Sequence, residues 1–171
     1  IYAELFDRTK LAVEALSREG LEIPYEIRVA AEVTLSNRLF EEMKELKKDF
    51  KGTIKRKVID EIVEQTKDHN YHLRMEKSLR LLRDILREKM NTLRESTGFH
   101  LSRQIEQIEE IITLLDLVKK WGFGISMEEA QNLMGEILQE CIGDLEKCWW
   151  GEGEGKPFHP SLITLAEKLG F

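Results

Sequence analysis

The sequence predicts an all-α protein, a helical bundle of six or seven mainly antiparallel helices, and three observations lead there. Leucine outnumbers valine 23 to 6, which favours helix over strand. Only 3 prolines and 11 glycines occur in 171 residues, so long stretches run without a breaker. Apolar residues recur every three or four positions along most of the chain, the spacing of a helix with one oily side. A β-sandwich or barrel is disfavoured. With 42% hydrophobic and 34% charged residues, the chain is too apolar for disorder. Its longest aliphatic stretch, Ile111 to Leu115, is far shorter than the ~20 residues of a membrane helix.

The first helix is placed from Tyr2 to Glu19, with Leu5, Ala12 and Leu16 on its apolar stripe and Gly20 ending it. Pro24 opens the second, whose Ile27, Ala31, Leu35, Leu39, Met43, Leu46 and Phe50 fall along one side before a stop near Gly52. Thr53 is positioned to cap a third segment carrying Ile54, Val58, Ile59, Ile62 and Val63. Between Asp68 and His72 the pattern loosens, as a kink or a break, and then resumes with Met75, Leu79, Leu82, Leu86, Met90 and Leu93. Ser96-Thr97-Gly98 ends that helix. Leu101, Ile105, Ile108, Ile112, Leu115 and Val118 mark the next, interrupted by Trp121-Gly122-Phe123-Gly124. Ser126 with Glu129 reads as a capping box ahead of Met127, Ala130, Met134, Ile137, Cys141, Leu145 and Cys148. A polar stretch from Gly151 to Pro157 leads to a last helix capped by Ser161 and ending at Gly170. Such segments cannot bury their stripes singly, so they are expected to collapse into one domain spanning residues 1–171.

The chain starts at Ile1 with no signal-peptide pattern after it, and is read as a C-terminal piece cut from a longer chain. Cys141 and Cys148 lie seven positions apart in a helical stretch, about 10 Å apart and beyond the ~7 Å reach of a disulfide. Two unpaired thiols fit a reducing compartment, so the expected location is cytoplasmic. Residues 1–103 carry 21 basic and 19 acidic groups, and residues 104–171 carry 5 and 13. The basic run from Lys44 to Lys57 suits either a phosphate surface or a solvated helix end. The overall charge of −6 favours the second, and no nucleic-acid partner is expected.

Catalytic patterns are sparse. None of the four histidines follows a Glu three positions earlier, so the di-metal bundle motif is not present. His69, His72 and Glu76 are the weak metal candidates, sharing one face if that stretch is helical; a helix junction or surface patch is the stronger account of them. No phosphate loop, dinucleotide fingerprint or Gly-x-Ser-x-Gly turn occurs, and no cofactor is expected. Trp121, Trp149 and Trp150 are the candidates for stacking on sugar rings, set against the favoured role of plugging the core.

The stretch Ile23-Pro24-Tyr25-Glu26-Ile27-Arg28-Val29-Ala30-Ala31-Glu32, followed by Leu35-Ser36-Asn37-Arg38-Leu39, resembles a segment in the helical C-terminal region of glycoside hydrolase family 57-like proteins. Trp121 to Ile137 and Leu165 to Phe171 are also similar to it. These relatives are amylase- or mannosidase-like proteins with a C-terminal domain of unknown function. The resemblance implies that the catalytic carboxylates sit in an N-terminal barrel of the same chain. This domain would then be a non-catalytic helical partner packed on that barrel, in an enzyme acting on a polysaccharide or oligosaccharide. No catalytic residue is assigned here. The rival reading is an independent helical interaction or signalling module.

Overall fold

The computed structural model describes the backbone of residues 1–50, 53–96, 101–149 and 160–171, and their side chains except those of 53–55, 101–102 and 143–149. The described residues form seven α-helices and no strand, the all-α bundle architecture that the leucine-rich periodicity predicts. No described helix is long and apolar enough to cross a membrane. The chain divides into two compact units, Ile1–Leu81 and Leu82–Phe171.

The first unit holds α1 (Tyr2–Arg18), α2 (Tyr25–Lys48), α3 (Thr53–Asp68) and the start of α4 (Glu76–Glu95). Helix α2 is its centre, packed against both α1 and α3. That position explains why α2 buries not one stripe but Ala30, Ala31, Thr34, Leu35, Ser36, Leu39, Met43 and Leu46. At 100° per residue these cover about two-thirds of its circumference. On α1 the core residues are Phe6 and Val13, whereas Ala12 is exposed. The buried face is thus rotated from the predicted stripe. Arg38 on α2 reaches back to Asp7 at 3.0 Å and lies 5.6 Å over the Phe6 ring, covering that edge of the core.

Helix α2 stops at Lys48, short of the predicted end. Phe50 is still buried, but in the turn rather than on the helix, and Arg56 donates to its carbonyl at 2.5 Å while lying over its ring. Whether Thr53 caps α3 lies outside the described side chains.

The loosened stretch after Asp68 is a break. Asn70 takes φ +51, Asn70 N–H donates to Lys67 C=O, and Tyr71 N–H donates to Thr66 C=O. This is the Schellman terminator, with its left-handed residue just past the helix. The chain then extends along α2, and two side chains one turn apart catch its amides. Glu32 Oε1 accepts from His72 N–H at 2.9 Å, and Ser36 Oγ accepts from Arg74 N–H at 3.0 Å. The match is geometric, because four helical residues rise ~6 Å and two extended residues advance ~6.6 Å.

The second unit contains the rest of α4 with α5 (Leu101–Trp121), α6 (Glu128–Trp149) and α7 (Pro160–Leu169). Its core is built from Leu82, Leu86, Met90 and Leu93 of α4, Ile111 and Leu114 of α5, Met134 and Ile137 of α6, and Leu165 of α7. Helix α7 packs on α5 and α6. Lys89 pairs with Glu110 at 2.7 Å, and Arg94 pairs with Glu136 at 2.6 Å, so α4 is tied to both α5 and α6. Gln131 donates to the Leu169 carbonyl at 2.6 Å, satisfying an acceptor at the end of α7.

Two predicted caps are corrected. The Met127 carbonyl accepts the first bond of α6, from Gln131 N–H, so α6 begins one residue later than a Ser126 capping box requires. Helix α7 starts at Pro160, which has no amide to orphan at that position, and Ser161 lies inside its first turn. Gly20, Gly122 and Gly170 have positive φ and close the same terminator as Asn70 at the ends of α1, α5 and α7.

Candidate functional site

The predicted metal trio is not assembled. His69 is the first residue beyond α3, His72 lies in the extended connector and Glu76 opens α4, so the shared helical face this grouping needs does not form. His72 is 80% exposed beside Glu32, and His69 faces Ser17. Among the described residues no group of three or more His, Cys, Asp or Glu side chains is placed to hold a metal ion.

Trp121 is 3% exposed, its ring 5.6 Å from that of Phe123 and tilted by 45°. It therefore fills the core and presents no face on which a sugar ring can stack. Trp150 and the side chain of Trp149 lie outside the described residues. So does the side chain of Cys148, whereas Cys141 is half-buried. In the basic run, Lys44 pairs with Glu41 and Lys48 with Glu45. The hydrogen bond from Lys48 to Glu45 holds the Lys48 ammonium above its ordinary pKa. These are the pairings of a solvated helix end.

The structure brings together a different set of side chains in the first unit. Helices α1 and α3 each pack on α2, and between them runs a groove of about 380 Å³. Helix α1 contributes Phe6, Lys10, Val13, Glu14, Ser17 and Arg18, two adjoining rows at steps of three and four that share one face. Gln65 and Asp68 come from the last turns of α3. At one end the Ser17 hydroxyl and His69 Nδ1 are 2.9 Å apart, and the His69 and Tyr71 rings lie 5.4 Å apart. Phe6, Val13 and Tyr71 are buried beneath the polar rim.

Tyr71 is held by the terminator of α3, which turns it inward where the chain leaves the helix. Its hydroxyl is buried without a hydrogen-bond partner. Burial pushes its phenol pKa above the ordinary value of 10.0, with Arg28 opposing the shift and Glu32 adding to it.

The Ser17–His69 pair has the spacing of a nucleophile and base, but its surroundings have the wrong sign for acyl transfer. It lies where α1 and α3 both end, and helix ends of that polarity present carbonyl oxygens and partial negative charge. An oxyanion needs N–H donors there.

Sequence reasoning singled out His69 and set it in the wrong company. Its partner across the groove, Ser17, lies 52 residues away on α1, and no local spacing announces such a pairing. The second unit has two further grooves. One of about 260 Å³ lies between Arg83 and Arg87 of α4 and the start of α6. Another, of about 510 Å³, lies beside the Lys168–Asp116 ion pair. No known protein family, curated protein or solved structure matches this chain.

Proposed function

We propose that this chain is a non-catalytic helical domain of a larger, cytoplasmic carbohydrate-active enzyme similar to the glycoside hydrolase family 57-like proteins, packed against a catalytic domain of the same polypeptide. The observation that supports this reading is the tip joining α1 to α2. Leu21 is 59% exposed and Tyr25 75% exposed, on either side of an exposed Pro24. Exposed apolar side chains at such a tip are free to dock on a partner domain, and fully burying one contributes about 1.5–3 kcal/mol. Tyr25 and Pro24 belong to the stretch that carries the resemblance. Farther along that stretch, Ala30, Ala31, Leu35 and Leu39 are core of α2, so its remaining content is architectural.

An antibody raised against residues 1–171 tests the reading on the native polypeptide. The expected result is a species well above 20.0 kDa whose immunoprecipitate hydrolyses an α-glucan or mannan, while the 171-residue chain alone turns over neither. A native species near that mass without activity would favour the independent interaction module. Turnover by the 171-residue chain would overturn the non-catalytic assignment.

A further inference from the structure

Helix α1 carries more apolar side chains than the first unit covers. Nine of its 17 residues are apolar or aromatic, and Phe6 and Val13 are the two that are buried. Leu5, Ala12 and Leu16, the stripe the sequence predicts, lie about 90° around the helix from that pair. Leu5 and Leu16 are half-buried and Ala12 is exposed; beyond them Leu11 is 80% exposed, and Ala15 is exposed as well. One apolar side of α1 rests on α2, and a helix with a second such side has a second surface to cover. We infer that a second copy of this chain covers it, the two α1 helices lying antiparallel across a two-fold axis. The inference goes beyond the docking reading, whose tip lies past the end of α1.

Two features of this face select a second copy. The first is size. Leu5, Arg8, Ala12 and Ala15 follow one another at steps of three and four down a single seam, large in its first half and small in its second. A two-fold axis level with Lys10 sets Leu5 against the other copy's Ala15 and Arg8 against its Ala12. Large then meets small at each step, the knob-and-hole relation of packed helices. A parallel pair would instead set Arg8 on Arg8 and leave the alanines facing a gap.

The second feature is charge. Glu4 and Arg8 already pair at 2.8 Å, so the face is close to neutral and offers little to a strongly charged partner. In the antiparallel pair Glu4 falls opposite the last turn of α1, which ends in Arg18, and no like charges are opposed on the seam. Leu11, near the axis, comes beside its own counterpart, and Leu16 comes beside Leu5. The contact is therefore isologous, closing at two copies.

Sedimentation equilibrium of the full 171-residue chain from ~10 µM to ~1 mM is the test, a range set by the weak affinity of an interface one helix wide. The apparent mass should rise from 20.0 kDa toward twice that value and stop there. Ala12→Arg opposes two guanidinium groups across the seam and should weaken association about tenfold or more. Combining it with Arg8→Ala exchanges the large and small positions and should restore the parent affinity to within about threefold. Both positions are exposed, so circular dichroism and the urea midpoint should stay at the parent values, which separates lost pairing from lost fold. Leu11→Lys, at the axis, should weaken association as well.

The inference is overturned if the chain stays monomeric throughout, if it grows past a dimer, if Ala12→Arg associates like the parent, or if the double variant does not recover. Its failure is distinguishable from that of the docking reading. A heavy native polypeptide whose 171-residue chain stays monomeric sinks only the pairing, and a self-associating native protein of 20.0 kDa chains sinks only the docking.

Discussion

Two serines of the first unit are buried to a similar degree, and replacing them with alanine should move stability in opposite directions. Ser78, near the start of α4, is 0% exposed, and its Oγ has no hydrogen-bond partner. Ser36 on α2 is 8% exposed, but its Oγ donates to Glu32 C=O at 2.5 Å and accepts from Arg74 N–H at 3.0 Å. An unsatisfied buried hydroxyl costs about 1–3 kcal/mol. Deleting it at Ser78 recovers that cost, less the contacts of one oxygen, and alanine adds a few tenths in helix propensity. The expected gain for Ser78→Ala is about 1–2 kcal/mol, or a Tm rise of about 2–8 °C for a chain of this length.

Ser36→Ala instead strips the Arg74 amide of its acceptor and should cost about 1–3 kcal/mol. Urea unfolding followed by far-UV circular dichroism measures both, and the midpoints should shift apart with the slope unchanged. Equal losses for the two variants would refute the reasoning, because they would show that the Ser78 hydroxyl is satisfied after all.

Asn70 holds φ +51, where glycine has no Cβ penalty and alanine does, so Asn70→Gly should be neutral or slightly stabilising and Asn70→Ala should cost about 1 kcal/mol by the same urea assay. Trp121→Ala should lower stability by about 3–5 kcal/mol with loss of the near-UV signal, since the ring is a buried core element. The raised phenol of Tyr71 binds its proton more tightly folded than unfolded. Its contribution is therefore complete below pH ~10 and is lost as pH rises through the folded value. Tyr71→Phe should flatten the alkaline decline in Tm, and at neutral pH should not destabilise the chain, because the hydroxyl it removes has no partner.

The helices were legible because the signals that define them are local. Gly20, Gly122 and Gly170 mark stops that the structure places within a residue or two, and Leu82, Leu86, Met90 and Leu93 fill the core that their spacing foretells. The misreadings also have local causes. Ser126 and Ser161 satisfy a capping pattern, yet the register is set by Met127 and Pro160, since propensity is a weak prior when packing fixes where a helix begins. Helix α2 is wider in its burial than any single stripe because neighbours on two sides claim it, which a one-dimensional pattern does not encode. The groove was invisible for a stronger reason. Ser17 and His69 meet only after α1 and α3 have both found α2, so the site is a product of tertiary docking.

The repeated terminator has a consequence for how the rods are assembled. At each of its four occurrences the residue one step past the left-handed position is apolar or aromatic: Leu21, Tyr71, Phe123 and Phe171. Tyr71 is buried, Phe123 half-buried, and Leu21 and Phe171 more than half exposed, so each stop also sets where an apolar side chain leaves the helix. A stop that is erased, for example by Gly20→Val, does more than lengthen a rod, because the hydrophobic tab behind it is swung about 100° around the cylinder for each residue the spiral overruns. Rod length and the heading of the apolar side chain behind it are therefore inherited together, and a change to one is a change to both.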